Sequence, residues 1–357
     1  HLSGDQERVI NQSGLRKVLP AEVELIAGPG CPASICPGGD VYQAVRLAQD
    51  HDVTLAVDES LFSVPAPTGL SGARSLADAQ RLGADVRVIA APIEAVLLAT
   101  AAPEKQVVLF VAGFETLLAP LAGMLLGGLP DNLSLLLCGR RVEPLVSERQ
   151  LGALADFDAL LLPGNRCSLV GLSDWEAFAT SHGKAVAVAG YTAAALLVAI
   201  EALMQSLAAG QAYLSNCYQP LAKPSGNPTA RRRLAEVFDL TTGSWRGIGA
   251  VPLSGYRLRN RFAAHDADQK FPDYRRVADG LSDFAEGCGC AGVISGNALP
   301  GACDEFGLAC RPEQPIGPCM ASRDGTCYAQ FFANSPIGRS QRGRSRCSGE
   351  TSRRRAA

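Results

Sequence analysis

A cysteine-rich segment near the C-terminal end limits what this chain can fold into more than any other stretch. It holds six of the twelve cysteines of the 357-residue sequence. These are Cys288, Cys290, Cys303, Cys310, Cys319 and Cys327. Glycine and proline recur between them and interrupt any regular helix or strand. Because so little of the segment is apolar, burial alone does not hold its shape, and it requires disulfides or a metal centre.

The cysteine spacing favours an iron–sulfur cluster over the alternatives. Zinc ribbons use two C-x-x-C pairs, which are missing from this segment, and a four-ligand zinc site leaves two cysteines over. An iron–sulfur cluster takes four thiolates at irregular spacing, and the two remaining cysteines then form a redox dithiol beside it. Three structural disulfides in a secreted domain stay an alternative, although the sequence shows no secretory signal.

Composition excludes several classes of partner. The chain is 47% hydrophobic and 19% charged, with a net charge of −2. Such a chain builds ordinary cores, and neither nucleic acid nor an anionic membrane is an expected partner. Its longest apolar runs are broken by glycine, proline or charge, so we expect no membrane span. The sequence begins with His1 rather than methionine, and we expect that residues are missing before it.

Short apolar runs alternate with helical patterns over residues 23–207. The predicted strands are 23–27, 53–57, 86–90, 107–111, 133–137, 159–162 and 185–189. Helical patterns lie between them at 41–48, 75–82, 93–101 and 193–207. Continuous Val, Leu, Ile and Ala runs are typical of parallel strands that are buried on both faces. A break at GGLPDN, residues 127–132, predicts a division into two Rossmann-like halves.

Four stretches of the sequence together resemble the HypD family of hydrogenase maturation factors. In chain order they read GLRKVLPAEVELIAGPGCP, VVLFVAGFET, WRGIGAVPLSG and CxC…C…C…PIGPCMAS…GTC. The similarity extends over nearly the whole chain, from His1 to about Phe332. A dinucleotide site is not expected despite the Rossmann-like layout, because Gly28-Pro29-Gly30 lacks the G-x-G-x-x-G spacing.

The resemblance implies an α/β fold with two Rossmann-like parallel-sheet domains and a small C-terminal iron–sulfur domain. We predict these at residues 1–127, 128–255 and 256–334, followed by a disordered basic tail at 335–357. It also implies a cytoplasmic assembly factor with redox chemistry that helps to build the Fe(CN)2CO group of [NiFe] hydrogenase. Its expected partners are a HypC-type chaperone and a HypE-type cyanide donor, with the hydrogenase large subunit served indirectly.

The resemblance also assigns roles to individual residues. The expected [4Fe-4S] ligands are Cys288, Cys303, Cys310 and Cys327. Cys290 and Cys319 are the expected redox dithiol, in an arrangement similar to that of ferredoxin–thioredoxin reductase. Between the two α/β halves, Cys31 is the expected thiol for a transient iron that carries CN and CO. Glu115, in the conserved-looking GFET stretch, is a candidate carboxylate of the same cleft.

Several cleft positions depart from the family pattern. Ser3 stands at the cysteine of the E-V-C-G-T-H motif, Gln6 stands at its histidine, and Ser34 stands at the second cysteine of C-x-x-C. Asn165 replaces a histidine, and both Thr192 and Ala195 replace acids. A neutral hydroxyl is a far weaker iron ligand than a thiolate. The alternative function is therefore a diverged thiol-redox or binding scaffold that has lost the iron-holding cleft thiols.

Four further cysteines lie outside the positions that the family pattern assigns. Cys36 and Cys167 are candidates to replace a lost cleft thiol. Cys138 and Cys217 lie in or beside apolar runs and are expected to pack in the core. Trp245 and Arg246 are expected to join the α/β part to the cysteine-rich segment.

Overall fold

The computed structural model describes residues 1–67, 72–147, 154, 156–272 and 282–334. The predicted basic tail, residues 335–357, lies outside the described residues, as does part of the predicted C-terminal domain. Within the described residues the strands are β1 Val53–Asp58, β2 Val86–Ile89, β3 Gln106–Gly113, β4 Leu133–Arg140, β5 Ala159–Pro163, β6 Ala185–Ala189, β7 Leu214–Asn216, β8 Phe238–Trp245 and β9 Gly249–Leu258.

The helices surround these strands and fill the connections between them. They are α1 Gly4–Ser13, α2 Pro32–Ile35, α3 Gly38–Asp50, α4 Glu59–Phe62, α5 Leu76–Arg81, α6 Ile93–Ala101, α7 Glu115–Gly127, α8 Val142–Ser147, α9 Gly164–Val170, α10 Ser173–His182, α11 Ala193–Ala208, α12 Pro228–Val237, α13 Ala267–Lys270, α14 Cys290–Ser295, α15 Pro318–Ala321 and α16 Thr326–Asn334. Short 3-10 turns are found at Leu15–Lys17, Asn260–His265 and Pro300–Ala302.

The strands form two sheets, which confirms the predicted mixed α/β class. The larger sheet has the order β2-β1-β3-β4-β9-β8, and the smaller has the order β5-β6-β7. Strands β1 to β4 pair in parallel, as do β5 to β7, whereas β8 and β9 form an antiparallel hairpin beside β4. Alternate residues of β3 enter different cores, with Phe110 in one and Leu109 in the other, as expected for a strand covered on both faces.

The predicted strand at residues 23–27 is wrong. This segment lies outside any helix or strand. Its carbonyl groups are used by other parts of the chain, since Leu25 O accepts from Arg16 Nη2 at 2.9 Å. A backbone hydrogen bond from Gly28 N to His1 O, 2.9 Å long, fastens its end. The apolar run is real, but local bonding to α1 and the turn after it replaces a sheet ladder.

The predicted break at residues 127–132 does not separate the two sheets. Strand β4, which follows it, pairs in parallel with β3 from Val107–Leu133 to Gly113–Gly139. The change of sheet falls after Arg140 instead. Asn132 explains the continuity, because its buried amide nitrogen donates to Ala99 O at 2.9 Å and to Lys105 O at 2.8 Å. The predicted domain boundaries stay a prediction.

The β8–β9 hairpin is longer than the loops and short strands that the sequence predicts. It pairs from Phe238–Leu258 to Trp245–Gly249 and contributes two strands to the larger sheet. Trp245 is buried at its tip, and Trp245 Nε1 donates to Ser254 Oγ at 2.8 Å. Arg246 follows in the turn, where the two strands meet the cysteine-rich lobe.

We predict that Asn132→Ala lowers the free energy of unfolding by about 1–3 kcal/mol, because carbonyl oxygens gathered around its amide lose their donor. Urea unfolding measures this as a lower midpoint with an unchanged slope. Asp131→Ala, at the exposed neighbouring position, is the control and is expected to change stability by less than about 0.5 kcal/mol. Equal effects of the two substitutions would contradict the role given to Asn132.

Candidate metal centre

The C-terminal lobe gathers its cysteines around one small core. The Sγ atoms of Cys290, Cys319 and Cys327 lie within 4.8 Å of one another, and all three residues are buried. Val293, Ile294 and Met320 are buried in the same core. Three buried thiols therefore lie close enough together to bind one metal ion.

Short helices position these three thiols. Cys290 is the first residue of α14, Cys319 is the second residue of α15, and Cys327 is the second residue of α16. Pro318 begins α15, where its fixed φ favours the first helical turn and its missing N–H costs no hydrogen bond. Each of the three thiols thus lies in the first turn of its helix.

The other three cysteines of the lobe line the same region. Cys288 is hydrogen-bonded to Cys290 through the side chains. Cys303 Sγ accepts the Gly289 N–H at 3.3 Å, and Cys310 Sγ accepts the Ile316 N–H at 3.4 Å. Backbone N–H groups directed at sulfur stabilise the thiolate form that metals bind.

Electrostatics single out Cys327 among these thiols. Hydrogen bonds from Cys290 and Cys319 lower the pKa of the Cys327 thiol to about 6. The same contacts raise the pKa of Cys319 well above its usual range, and the contact with Cys290 raises the pKa of Cys288. Burial raises the pKa of Cys310. Among these thiols, Cys327 is therefore the one whose ionised, metal-binding form the hydrogen bonds favour.

The lobe fits a thiolate-bound metal group. The sulfur atoms of Cys288 and Cys290 lie directly beside the backbone of Gly317. A Cβ atom added to Gly317 would lie 2.6 Å from Cys290 Sγ and would also clash with Cys288 Sγ. Only glycine lets the backbone come this close to the sulfurs. The group of Cys290, Cys319 and Cys327 contains only sulfur donors among the described residues. Sulfur donors suit zinc or an iron–sulfur cluster.

The structure brings the predicted dithiol together. Cys290 and Cys319 are adjacent, and Cys327, a predicted cluster ligand, lies at the same short range. The division of the six cysteines into four ligands and one dithiol stays a prediction, because the contacts join members of both groups.

Cys31, the predicted cleft thiol, caps a short helix. It is buried at the N-cap of α2, where Ser34 Oγ accepts from Cys31 N at 3.2 Å and donates to Cys31 O at 2.8 Å. Burial raises the pKa of Cys31 to about 11. The hydroxyl group of Ser34 is thus hydrogen-bonded to the backbone of Cys31. The raised pKa of Cys31 favours the protonated thiol in the absence of a cation.

Ser3 lies directly against the Cys31 loop. A Cβ at Gly30 would lie 2.5 Å from Ser3 N, and Gly4 N donates to Gly30 O at 3.2 Å. Ser3 is also the N-cap of α1, since its Oγ accepts the Gln6 N–H at 3.4 Å. The resemblance is therefore spatially consistent, because two positions expected to carry thiols are neighbours here.

The remaining polar substitutions serve the second sheet. Gln6 Nε2 donates to Leu162 O at 3.2 Å and to Ala189 O at 3.3 Å, at the carboxyl ends of β5 and β6. Asn165 Oδ1 accepts from the Tyr191 hydroxyl and from Arg166 N. Thr192 Oγ1 caps α11 by accepting the Ala195 N–H at 3.1 Å. These residues fix loops at the strand ends.

Glu115 is buried where the two sheets face each other. Its Oε1 accepts from the Tyr256 hydroxyl at 3.0 Å, and burial raises its pKa despite the charge of Arg166. Arg166 belongs to α9, donates to Leu2 O at 3.0 Å and lies 4.1 Å from the Phe114 ring centroid. Neither Glu115 Oε2 nor Arg166 Nη1 has a hydrogen-bond partner among the described residues. This buried pair retains bonding capacity for a group held between the sheets.

The cleft cysteines that were candidates to replace a lost thiol have different surroundings. Cys167 is buried beside Arg166, and burial raises its pKa to about 12. Cys36 ends α2 and is hydrogen-bonded through its side chain to Cys138. Cys138 is buried in the core as predicted, but the sequence carries no signal that it meets Cys36 and Asp40.

The cysteine-rich lobe packs directly on the cleft elements. Helix α15 packs against α2, and α16 packs against α1. A Cβ at Gly4 would lie 2.7 Å from Asp324 Cβ, so no side chain separates α1 from the lobe. The thiols of the lobe and the Cys31 loop are therefore parts of one packed unit.

Comparison with known proteins identifies the family. The model of the family described as "HypD: Hydrogenase formation hypA family" matches residues 1–334. The chain belongs to the HypD family. The hydrogenase maturation factor HypD2 of Bradyrhizobium diazoefficiens is 32% identical over 341 residues, covering 92% of this chain and 87% of that protein.

Two further HypD proteins show similar levels of identity. The hydrogenase maturation factor HypD of Cupriavidus necator is 32% identical over 340 residues, with the same 92% and 87% coverage. That of Azotobacter vinelandii is 33% identical over 341 residues, again covering 92% and 87%. The resemblance found in the sequence is thereby confirmed at the level of the family. None of the described helices is both long and apolar enough to cross a bilayer.

We predict that Gly317→Ala reduces metal binding by this HypD-family lobe by roughly tenfold or more, because the added methyl group displaces the sulfurs of Cys288 and Cys290. Gly301→Ala, where a Cβ meets nothing within 4 Å, is the matched control in the same lobe. Iron and acid-labile sulfide are measured after anaerobic reconstitution. Equal contents in the two variants would show that the space beside Gly317 is not part of the metal centre.

Proposed function

We propose that this protein is a scaffold and electron donor for assembling the Fe(CN)2CO group of [NiFe] hydrogenase. The observation that carries the proposal is the packing of a buried multi-thiol lobe directly on the Cys31 loop, in a chain that belongs to the HypD family. A thiol that holds iron and a source of electrons are the two requirements of such a scaffold. Here they are joined through α2 and α15.

In this proposal Cys288, Cys303, Cys310 and Cys327 hold a [4Fe-4S] cluster. Such a cluster supplies one-electron transfer when bound. Cys290 and Cys319 form the neighbouring dithiol. Reduction of their disulfide by two successive one-electron transfers takes up two electrons and two protons, and closing the disulfide returns the same two electrons and two protons. The proximity of Cys290, Cys319 and Cys327 supports this arrangement, because the dithiol touches a cluster ligand.

The cleft receives the iron as cargo. Cys31 is the thiol proposed to bind it, exchanging its proton for the metal, and Glu115 is the proposed carboxylate of the same cleft. Burial raises the pKa of both groups, which favours their protonated forms in the absence of a cation. The proposed partners are a HypC-type chaperone and a HypE-type cyanide donor, with the hydrogenase large subunit as the eventual recipient. We expect this assembly to take place in the cytoplasm, as the family resemblance implies.

The dithiol is tested by separating cluster content from maturation activity. Cys290→Ser and Cys319→Ser are expected to lower hydrogenase activity by roughly a hundredfold or more in a strain that lacks its own HypD, with iron and sulfide contents unchanged. Cys303→Ser is expected to lose cluster iron as well. Cys217→Ser, a half-buried cysteine outside both sites, is the control.

The opposite pattern would reverse the assignment. If Cys290→Ser loses the cluster and Cys303→Ser keeps it, the ligand set proposed above is wrong. If none of these substitutions alters activity while the unaltered chain supports maturation, the dithiol is not the electron donor.

A second candidate function is a thiol-redox or binding scaffold that no longer holds the iron fragment. The specific observation in its favour is that Ser3 and Ser34 both use their hydroxyl groups as helix caps beside Cys31. A serine hydroxyl group that caps a helix is neutral and already hydrogen-bonded, so it is a weak ligand for iron. Cys31 would then be the only thiol among these three positions.

We predict that Ser3→Cys combined with Ser34→Cys increases iron retained in the cleft if this second function is correct. The unaltered chain, purified with a HypC-type partner, should then lack infrared bands of iron-bound CN⁻ and CO, and the double variant should gain them. Ser75→Cys, at a buried helix-capping serine of α5, is the control. Infrared bands of full intensity from the unaltered chain would reject the second function.

A further inference from the structure

A second group of metal-binding side chains lies outside the C-terminal lobe. Cys36 Sγ, Cys138 Sγ and a carboxylate oxygen of Asp40 all lie within 4.8 Å of one another. Cys36 closes α2, Asp40 is in the first turn of α3, and Cys138 is near the carboxyl end of β4. In parallel sheets that end of a strand is where ligands bind. The group shares no residue with the dithiol, the cluster ligands or Cys31.

We propose that Cys36, Cys138 and Asp40 bind a divalent, thiophilic cation of the zinc class. The inference does not depend on the function proposed above, because it uses different residues and a different ion. Catalytic zinc sites have three protein ligands, drawn from cysteine, histidine and carboxylate side chains, and one open position, and the present group offers three such ligands.

The distances suit such an ion. Two sulfur ligands that each lie about 2.3 Å from a tetrahedral metal ion are about 3.8 Å apart. The ligand atoms of Cys36, Cys138 and Asp40 lie within 4.8 Å of one another, which allows this separation. Both thiols are fully buried, whereas the Asp40 side chain is 35% exposed. Asp40 therefore marks the side from which an ion and a water molecule can enter, and the sulfurs provide the dry interior.

The surrounding charges also suit a bound cation. Arg140 Nη2 is 3.8 Å from Asp40 Oδ2, and the guanidinium of Arg246 donates to Cys36 O. With neutral thiols the local charge is therefore that of two guanidinium groups and one carboxylate. A divalent ion that displaces both thiol protons leaves this local charge unchanged. No further counter-charge has to be buried when the ion binds.

Without an ion, the Cys36 thiol has little reason to ionise. Burial raises the pKa of Cys36 well above its usual range, and the contact with Cys138 raises it further. Two neutral thiols fit a core equally well as two small apolar residues, so their adjacency to a carboxylate is the feature that packing alone leaves unexplained.

The groups around the ligands are held in place. Arg140 Nε donates to Ser244 O at 3.0 Å, and Arg140 Nη1 donates to Gly139 O at 2.9 Å. Arg246 Nη2 donates to Pro65 O at 3.5 Å. Arg140 in turn orients the carboxylate of Asp40. Such outer contacts fix ligand geometry and raise metal affinity.

The test measures zinc bound by the full chain under anaerobic conditions. The unaltered protein is expected to hold one more zinc ion per chain than Cys138→Ser, after incubation with Zn2+ and desalting. Asp40→Asn, on the exposed side of the site, is expected to weaken binding by roughly tenfold or more. With Co2+ as the probe, the thiolate-to-metal charge-transfer absorption should decrease in both variants.

Two matched controls separate this site from other sulfur in the chain. Cys217→Ser removes a cysteine that lies outside both groups, and Asp78→Asn removes a first-turn aspartate of α5 that pairs with Arg81. Both should retain the full zinc content. Because Asp40 is partly exposed, Asp40→Asn decides the question even if Cys138→Ser fails to fold.

Two results would overturn the inference. One is an equal zinc stoichiometry and affinity in the unaltered chain, Cys138→Ser and Asp40→Asn. The other is recovery of Cys36 and Cys138 as one disulfide-linked peptide from protein purified anaerobically. The failure of cluster assembly in the C-terminal lobe would leave both measurements interpretable, since zinc is compared between variants with the same lobe.

Discussion

The structure depends on hydrogen bonds from Arg246 and Gly247, in the turn between β8 and β9, to the loop after Cys31 and to Asp283. Arg246 is fully buried and donates through its side chain to Cys36 O and Pro65 O, while its backbone N–H donates to Ile35 O. The next residue, Gly247, donates to Asp283, which also accepts the Gly38 N–H at 2.6 Å. A buried charge tolerates few arrangements, because each unpaired donor costs free energy. The β8–β9 turn, the loop after Cys31 and the cysteine-rich lobe are therefore fixed to one another.

This arrangement places both sulfur-rich groups beside the same short connection. The connection runs from α2 to α3, with the cysteine-rich lobe packed on α2 and with Cys36 directed at Cys138. Burial raises the pKa of Cys36 in one group and of Cys310 in the other, which favours the protonated form of each thiol. The lobe differs in one respect, because hydrogen bonds from two thiols lower the pKa of Cys327 to about 6. The group of Cys36, Asp40 and Cys138 has guanidinium groups as neighbours instead, because Arg140 lies beside Asp40 and Arg246 donates to Cys36 O.

The cleft between the sheets combines retained and replaced features of the HypD family. Glu115 and Arg166 stay buried with unused bonding capacity, which is costly unless a bound group or water uses it. Ser3, Ser34 and Thr192, by contrast, are satisfied as helix caps. These three side chains therefore satisfy backbone groups at helix ends and offer neutral oxygen atoms rather than anionic ones. In the proposed function, Cys31 and Glu115 are the thiol and the carboxylate that would hold the iron.

The sequence by itself determined the features that depend on local pattern. Continuous apolar runs marked six of the strands, and cysteine spacing with glycine and proline marked the lobe, because period and turn chemistry act over a few residues. Tertiary structure decided the features that depend on pairing. It excluded a strand at residues 23–27, placed β4 with β3 despite the glycine-rich linker, and joined Cys36 to Cys138 across about one hundred residues of chain. Sheet order and core contacts depend on which apolar surfaces pack against each other. Residues that are far apart in the sequence form these surfaces, so the local pattern of one sequence does not reveal how they pair.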